Sequence, residues 1–231
     1  MAKKTTKSST KKTVKTTVNT EPKKIAKSTA KVNSVSKQDS TKTVIDEIKI
    51  GDQTWTSKNL DVDTYRNGDA IPQVQDENEW ANLTTGAWCY YENETANGTT
   101  YGKLYNWFAV NDPRGLAPKG YHIPSDAEWT ILTDNLKINI FGDKAGTKMK
   151  STSGWDDDGN GTNSSGFAGL PGGYCSDGGG YYEVGGNGYW WSSTEDNTSN
   201  AWCSYLFNMV GTVGRDKSHK LYGFSVRCLR D

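Results

Sequence analysis

The sequence lacks any apolar run near the ~18 residues that a membrane span requires. Apolar residues make up only 33% of the chain and the mean hydropathy is −0.78, which excludes a transmembrane protein and a membrane partner. The charged N-terminus, MAKKTTKSSTKKT, is followed by neither an apolar stretch nor a small-residue cleavage site. It therefore does not resemble a secretory signal peptide, and we expect the chain to mature in the cytoplasm.

Metal and redox cysteine motifs are also missing. The four cysteines, Cys89, Cys175, Cys203 and Cys228, have no C-x-x-C spacing and no zinc-ligand spacing to a histidine. The pattern therefore predicts neither a zinc site nor a thioredoxin-type site. Two alternatives stay open for the thiols, which are either reduced and mostly buried or paired in two disulfides in an oxidising compartment.

Aromatic residues are absent from the beginning of the chain, and all 26 lie from Trp55 onward. The first 44 residues carry 12 Lys against Glu21 and Asp39, a net charge of +10. Residues 45–231 carry 15 basic and 25 acidic residues, a net charge of −10. Because the first segment cannot bury enough surface to offset the entropy of ordering, we predict a disordered basic tail over residues 1–43. The aromatic residues predict a folded domain over residues 44–231.

The predicted tail has two open interpretations. It is either a solubilising segment or an anchor, because lysine at roughly one residue in four attracts phosphates and acidic protein surfaces. Nucleic acid is not the expected partner, since the segment has no aromatic side chains on which bases could stack.

Periodicity and turn signals predict helices and strands within the domain. A hairpin is predicted over residues 44–60, helices over 76–83, 125–136 and 143–150, and strands over 87–91, 201–208, 210–215 and 222–229. The helix that follows Ser125 is the best defined, because Ser125 and Glu128 have the spacing of a capping box. Residues 154–200 are rich in Gly, Asn, Asp and Ser but contain aromatics, which predicts long ordered loops.

The last predicted strand has a two-residue period. Its residues alternate between two sets, Phe224, Val226 and Cys228 on one face and Ser225, Arg227 and Leu229 on the other. Side chains of a strand point alternately to its two faces. The chain is therefore expected to end inside its core sheet.

Six motifs in a fixed order resemble a known family. They are IGDQTWTSKNLD (50–61), YGKLYNWFAV (101–110), LAPKGYHIPSDAEW (116–129), GFAGLPGGY (166–174), GYWWSSTE (188–195) and YGFSVRCLRD (222–231). Over about residues 44–231 the chain is similar to the major paralogous domain of Fibrobacter succinogenes. The resemblance implies an α+β, C-type-lectin-like fold with long Gly/Asn-rich loops. It also implies a relation to formylglycine-generating enzymes and to the variable proteins of diversity-generating retroelements.

The resemblance also bears on location. Members of this family usually carry a secretory or lipoprotein signal and lie on bacterial surfaces, whereas this chain begins with a basic segment. We therefore expect a non-enzymatic recognition domain, displayed on a bacteriophage particle that is released by lysis. Its expected partners are a host-surface glycan or protein, other virion proteins bound through the tail, and further copies in a homo-oligomer. A bacterial cell-surface adhesion module of the same fold and a purely structural virion decoration protein are the alternatives.

Resemblance to the retroelement variable proteins places a ligand-binding face on the last strands and their connecting loop. Tyr side chains there would supply contact area at low entropic cost, and polar side chains would supply directional hydrogen bonds. The alternative is an ordinary hairpin with solvated polar residues. Most of the residue types are reachable by randomising the adenines of an Asn codon, which is compatible with retroelement diversification. The face comprises Cys203, Ser204, Tyr205, Phe207, Asn208, Val210, Thr212, Arg215, Asp216, His219 and Tyr222.

One segment has the spacing of a calcium loop. Asp156, Asp158 and Asn160 fall at positions 1, 3 and 5 of an EF-hand-like spacing, with Gly161 at position 6. Position 12 is Phe167 where a bidentate Glu is required, so an EF-hand is rejected. Another calcium site with the first three residues as oxygen ligands stays open, against a turn held by side-chain hydrogen bonds. We expect no other metal and no cofactor.

Two catalytic arrangements are disfavoured. His122, Ser125 and Asp126 are close in sequence, but Ser125 is better placed as a helix cap and no G-x-S-x-G elbow is present. Cys203 and Cys228 lie in the region where formylglycine-generating enzymes carry paired cysteines. Their spacing differs from that family, and GYWWSSTE replaces the motif that would hold them. We therefore expect no enzymatic activity.

Overall fold

The computed structural model describes residues 45–137 and 144–231, and it contains both helices and strands. This confirms the α+β class. The predicted tail at residues 1–43 lies outside the described residues. Within the described ranges, no helix is long and apolar enough to span a membrane. The helices are α1 (Glu77–Ala81), α2 (Thr95–Tyr101), α3 (Trp107–Val110), α4 (Asp126–Leu136) and α5 (Ala145–Met149), with a 3-10 turn at Tyr91–Asn93.

The strands form three sheets within the described part of the chain. The first has the order β1-β2-β11-β5, the second β10-β9-β8-β6-β7 and the third β3-β4. The strands are β1 (Glu47–Ile50), β2 (Gln53–Thr56), β3 (Trp88–Cys89), β4 (Leu104–Tyr105), β5 (Tyr121–His122), β6 (Gly172–Cys175), β7 (Tyr181–Val184), β8 (Asn187–Glu195), β9 (Asn200–Phe207), β10 (Val213–His219) and β11 (Leu229–Arg230).

The predicted opening hairpin is confirmed as β1 and β2. These strands pair antiparallel, and Gly51 in the turn has a φ of +60°, a left-handed conformation that favours glycine. β11 lies between β2 and β5, with Leu229 opposite both Trp55 and His122. The first strands and the last residues of the sequence therefore share one sheet.

The predicted capped helix is confirmed as α4. Ser125 Oγ accepts a hydrogen bond from the Glu128 backbone N–H at 3.3 Å, and the Glu128 carboxylate accepts one from the Ser125 N–H at 2.7 Å. Its buried residues are those of the predicted stripe, Trp129, Leu132 and Leu136. The other two predicted helices appear as α1 and α5, and Asp143 lies outside the described residues.

The prediction of loops over residues 154–200 is wrong for Gly172–Cys175, Tyr181–Val184 and Asn187–Glu195, which form β6, β7 and β8. A Cβ on Gly188 would lie 2.4 Å from the Leu170 carbonyl oxygen, so this glycine permits close packing within a strand. Residues 154–171 are irregular, and their aromatic residues Trp155 and Phe167 are buried as predicted.

Helix α4 covers one face of the five-stranded sheet, which we call the α4 face. There Trp190 of β8 packs against Trp129 of α4 at a ring-centroid distance of 6.4 Å. On the opposite face the neighbouring residue, Trp191, packs against Phe224 at 4.4 Å. Both tryptophans are buried, so β8 has a hydrophobic cluster on each side.

The predicted strand over residues 222–229 is regular only at its end, where β11 begins. Its backbone bridges three different partners, with Gly223 beside Cys175, Phe224 beside Tyr105 and Ser225 beside Trp190. Because no single strand runs alongside, a continuous ladder cannot form. The predicted alternation is confirmed, since Phe224, Val226 and Cys228 join the cluster around Trp191 while Leu229 joins the one around Trp190.

All four cysteines are free and buried, which agrees with the interpretation as reduced thiols. Burial raises the pKa of Cys203 and of Cys228 to about 12, so both are protonated at neutral pH. Neither therefore has the thiolate character of a reactive cysteine.

Candidate ligand-binding surface

The predicted ligand-binding face is divided between the two sides of the five-stranded sheet. Along β9, Cys203 and Tyr205 lie on the side opposite α4, whereas Ser204 between them points to the α4 face. In β10, Asp216 pairs with Cys203 and Arg215 pairs with Ser204. One surface cannot hold all of the predicted residues. Cys203 and Ser204 are also buried, at 1% and 3% exposure.

Five partly exposed tyrosines meet on the side opposite α4 and form what we call the tyrosine surface. They are Tyr174, Tyr182, Tyr189, Tyr205 and Tyr222. Tyr182 pairs with Tyr174 between β7 and β6, and Tyr189 pairs with Tyr205 between β8 and β9. Because β6 and β8 are neighbours, the two pairs lie side by side across four strands.

The tyrosine rings are in continuous contact. Ring centroids are separated by 5.6 Å for Tyr182 and Tyr174, 5.3 Å for Tyr174 and Tyr189, and 5.5 Å for Tyr189 and Tyr205. Tyr222 lies 5.6 Å from Tyr174. The ring planes differ by 31° and 33° within the two pairs, but Tyr174 and Tyr189 meet at 81°. The rings within each pair are therefore roughly parallel, and the two pairs meet nearly at a right angle.

Residues beneath the rings hold them in place. Phe224 stacks on Tyr189 at 4.9 Å with an interplanar angle of 15°. Gly214 of β10 lies opposite Tyr205, and a Cβ there would fall 2.1 Å from the tyrosine ring. At the other end, Tyr182 is 51% exposed beside Val184, which is 37% exposed. The tyrosine surface therefore packs on Phe224 and Gly214, and it is most exposed to solvent at β7.

The hydroxyls of Tyr174, Tyr189 and Tyr222 are neutral hydrogen-bonding groups, because burial raises the pKa of each. Burial raises the pKa of Tyr189 to about 12 against the opposing hydrogen bond that Asn187 Nδ2 donates to its hydroxyl at 2.9 Å. Burial, followed by the Glu183 charge, raises the pKa of Tyr174. Asn187 Oδ1 is buried and has no hydrogen-bond partner within the described residues. The tyrosine surface can therefore donate and accept hydrogen bonds as well as stack on the rings of a ligand.

Arg215 lies on the α4 face and binds within the protein. Its Nε and Nη2 both donate to the Asp126 carboxylate at the start of α4. Its guanidinium lies 3.7 Å from the Trp202 ring centroid. Ser204 and Arg215 line a pocket of about 290 Å³ between α4 and the sheet. Arg215 therefore connects β10 to α4 on the side away from the tyrosine surface.

Lys150 fixes the connection between β9 and β10. Its ammonium donates to the carbonyl oxygens of Phe207, Asn208 and Val210 at 3.1, 2.9 and 3.1 Å. These carbonyls are turned inward, so the strand predicted over residues 210–215 begins only at Val213. Asn208 is buried, at 7% exposure, and is not available at the surface.

The remaining predicted residues occupy separate positions. Thr212 is exposed in the connecting loop, and Phe207 is half-buried at the end of β9. Asp216 is exposed on the side of the tyrosine surface. His219 Nδ1 is 4.0 Å from Asp177 Oδ2 and makes no hydrogen bond within the described residues. Of the predicted face, Tyr205, Phe207, Asp216 and Tyr222 lie at or beside the tyrosine surface, since Phe207 is two residues from Tyr205 along β9.

A comparison with protein-family models matches residues 48–230 to the Fibrobacter succinogenes major domain. The chain belongs to this family. No curated protein and no solved structure matched it. Three residues of the tyrosine surface in this Fibrobacter succinogenes major domain lie in the motifs quoted above, namely Tyr174, Tyr189 and Tyr222.

The possible calcium ligands of this Fibrobacter succinogenes major domain have other roles or point to solvent. Asn160 Oδ1 accepts a hydrogen bond from the Trp155 backbone N–H at 3.1 Å, as in the turn alternative. Asp156 and Asp158 are both exposed. Across residues 45–137 and 144–231, no group of three His, Cys, Asp or Glu side chains is placed to hold a metal ion.

The three residues considered as a catalytic group belong to different contacts. His122 Nδ1 lies 2.9 Å from Asp231 Oδ1, and His122 Nε2 lies 3.1 Å from Glu128 Oε1. Burial lowers the pKa of His122, but these two hydrogen bonds outweigh it and raise the pKa above its usual value. Ser125 caps α4 and Asp126 binds Arg215. The histidine therefore links β5 to α4 and to the last residue of the sequence.

Sequence reasoning missed Tyr174, Tyr182 and Tyr189 as surface residues. Tyr174 and Tyr182 were assigned to loops, yet each faces the other across a strand pair. The sequence does place a tyrosine within each of several short strands. Their proximity cannot be predicted without knowing the register in which these strands pair.

Proposed function

We propose that this domain is a non-enzymatic recognition module that binds a glycan or protein of a bacterial cell surface through the tyrosine surface. The observation that carries the proposal is the continuous contact of five partly exposed tyrosines. Contiguous apolar surface is uncommon on soluble proteins unless it binds a partner. Tyrosine is also the residue that gives large contact area with little loss of side-chain entropy.

The geometry favours an extended glycan as the ligand. Ring faces stack on the C–H groups of sugar rings, and the tyrosine hydroxyls can exchange hydrogen bonds with sugar hydroxyls. The carboxylates of Glu183 and Asp216 add acceptors at the border. The tyrosines span four strands at a spacing of ~4.8 Å, or about 14 Å in all. A ligand lying across the strands would therefore contact several tyrosines at once.

We further propose that the fold is C-type-lectin-like. Three features support this proposal: the opening hairpin pairs with the closing strand, the capped helix α4 packs on the five-stranded sheet, and long irregular segments lie between them. Superposition of an experimentally determined structure on a C-type lectin domain tests it. A different strand order in the shared sheets would contradict it.

We also propose that the domain is displayed as a homo-oligomer on a bacteriophage particle, with residues 1–43 bound to other virion proteins. The charge contrast supports an anchoring role, since the first 44 residues carry +10 and the remainder −10. Multiple copies would strengthen weak individual sites through avidity.

Mass spectrometry of purified phage particles tests this location. Abundant peptides from both sides of Val44 are expected. Their absence from particles would contradict the proposal and favour the bacterial adhesion module of the same fold. Peptides present on particles that do not bind cells would instead favour a structural decoration protein.

A cell-binding assay with fluorescently labelled full-length protein tests the tyrosine surface. The double variant Tyr182→Ala/Tyr205→Ala should bind host cells at least roughly tenfold more weakly, because it removes the rings at both ends of the tyrosine surface. Ile131→Ala is the matched control, since Ile131 is 50% exposed on α4, on the other side of the sheet. Equal binding by both variants would refute the assignment.

Measuring cell binding by the wild-type protein with and without a calcium chelator tests the calcium-site prediction that stays open.

A further inference from the structure

The thiols of Cys89 and Cys175 are neighbours in a third buried cluster. Both residues are buried, at 0% and 1% exposure, and they share this cluster with Tyr91 and Leu104. Cys89 lies in β3 and Cys175 in β6, two strands of different sheets. Cysteine spacing alone does not favour this pair over the other possible pairs.

The backbone explains why the two cysteines meet. Cys89 pairs with Leu104 in the β3-β4 ladder, and Cys175 bridges to Gly223. A Cβ added to Gly223 would lie 3.0 Å from Cys175 Cβ and 3.4 Å from Leu104 Cβ. Gly223 therefore lets β6 and β4 approach each other, and the edge of the Trp80 ring packs at the same point, 3.0 Å from where that Cβ would lie. A glycine at this point is what allows β6 to approach the β3-β4 pair.

A tyrosine closes the other side of the pair. Tyr181 pairs with Cys175 across β6 and β7, and its hydroxyl donates to Asn93 Oδ1 at 3.0 Å. The neighbouring Cys89 thiol, and then burial, raise the pKa of Cys175 far above its usual value. Cys175 Sγ also donates to the Ser176 carbonyl oxygen at 3.6 Å, whereas Cys203 Sγ lies 3.5 Å from the Ser218 hydroxyl and has no cysteine beside it in its cluster except Cys228.

We propose that Cys89 and Cys175 form a disulfide when the protein meets a disulfide oxidant such as oxidised glutathione, and that Cys203 and Cys228 remain thiols. One cysteine thiolate attacks the oxidant and releases one glutathione thiolate, leaving a mixed disulfide. The second cysteine thiolate then attacks the sulfur of the first cysteine and releases the second glutathione. In total the two cysteines lose two protons and two electrons, and the oxidant becomes two glutathione molecules.

Burial governs when this reaction takes place. The protonated, buried Cys175 is a poor nucleophile in the folded domain. The bond therefore forms during folding or local opening, and once formed it is equally protected from reductants. The cross-link would join β3 to β6 and constrain the unfolded chain between residues 89 and 175.

Refolding of the full chain in a buffer of reduced and oxidised glutathione tests the proposal. Digestion with trypsin and glutamyl endopeptidase is required, because cleavage after Glu183 and Glu195 separates Cys175 from Cys203. A linked pair of peptides containing Cys89 and Cys175, lighter than the two thiol peptides by two hydrogen atoms, is expected. The oxidised protein should also unfold at a temperature higher by about 5 °C or more.

Two double variants complete the experiment. Cys203→Ala/Cys228→Ala should lose both of its titratable thiols on refolding, whereas Cys89→Ala/Cys175→Ala should keep both. Mapping of the wild-type peptides covers the case in which a variant fails to fold. Refolded wild-type protein with four free thiols, or a cross-link between any other two cysteines, would overturn the proposal.

Discussion

Gly214 lies directly opposite Tyr205, so the tyrosine ring occupies the space that any side chain at position 214 would need. Replacing Gly214 with Ala should displace the ring from Tyr189 and weaken binding to host cells about as much as Tyr205→Ala. The melting temperature should fall by only a few degrees, because the ring can move toward solvent.

Gly178→Ala is the matched control for that substitution. A Cβ at Gly178 would meet only Ser176 Oγ at 3.8 Å, an ordinary contact. Cell binding and thermal unfolding of the two variants are compared side by side. Undiminished binding by Gly214→Ala would show that the position of the Tyr205 ring does not matter to the ligand.

Arg215→Ala should reduce stability without affecting recognition. The variant loses an ion pair with Asp126 and a cation–π contact with Trp202. Because Arg215 is about half exposed, the two contacts together should contribute about 1 kcal/mol. Urea unfolding measures the loss, and the cell-binding assay should show no change. A large decrease in binding with intact stability would return Arg215 to the ligand-binding face.

Lys150→Met should destabilise the domain by roughly 3 kcal/mol, because three carbonyl oxygens around Asn208 lose their shared donor. Lys119→Met is the control, since Lys119 is exposed and its replacement should change stability by less than about 0.5 kcal/mol. Denaturant unfolding monitored by tryptophan fluorescence compares them. Equal midpoints for the two variants would contradict the role given to Lys150.

Even the conservative replacement of Arg227 with lysine should destabilise the domain. The side chain is 1% exposed and donates to Asn59 Oδ1 and to the backbone carbonyls of Thr56, Phe167 and Ala168. Burial lowers the pKa of Arg227 to about 9, so it stays charged at neutral pH. An ammonium cannot reproduce this planar set of bonds. Arg227→Lys should lower the free energy of unfolding by roughly 3 kcal/mol or more, and a near-neutral result would refute this reading.

His122 should make stability depend on pH. Its pKa is raised in the folded state, so its contribution is fully present below the unfolded value of about 6.5 and is lost as pH rises through the folded value. Glu128 has a lowered pKa and acts in the opposite sense, losing its contribution as pH falls below about 4.5.

The difference in unfolding free energy between wild type and His122→Gln should therefore be larger at pH 6 than at pH 8.5. A difference that is independent of pH would contradict the proposed contacts with Asp231 and Glu128.

Local signals in the sequence located α4, because Ser125 and Glu128 act on backbone groups within one turn. The same reasoning failed at β8, where the role of Gly188 depends on the Leu170 carbonyl, a neighbour that only the folded chain supplies. Glycine in a strand and glycine in a loop are identical in sequence. The loop prediction was therefore based on composition, whereas packing against neighbouring segments determines that a strand forms there.

The candidate site depended on register even more strongly. Tyr205 and Tyr222 were predicted as ligand contacts, but Tyr174, Tyr182 and Tyr189 become their neighbours only when four strands are aligned. A shift of one residue in β9 would bury Tyr205 on the α4 face and expose Ser204. Arg215 lies on the α4 face, away from Tyr205, and the sequence could not show this, since strand parity cannot be counted across an irregular connection such as the one held by Lys150.

The position of β11 between β2 and β5 also sets an order of events during synthesis. Thr56 ends β2, but Leu229 and Arg230 are added about 170 residues later. At ~5–20 residues per second the opening hairpin waits on the order of ten to thirty seconds for its central neighbour. Until then the edge of β2 is unpaired and the buried surface around Trp55 is incomplete. A ribosome that stalls just before Leu229 would hold a chain that contains nearly all of the core but cannot close it.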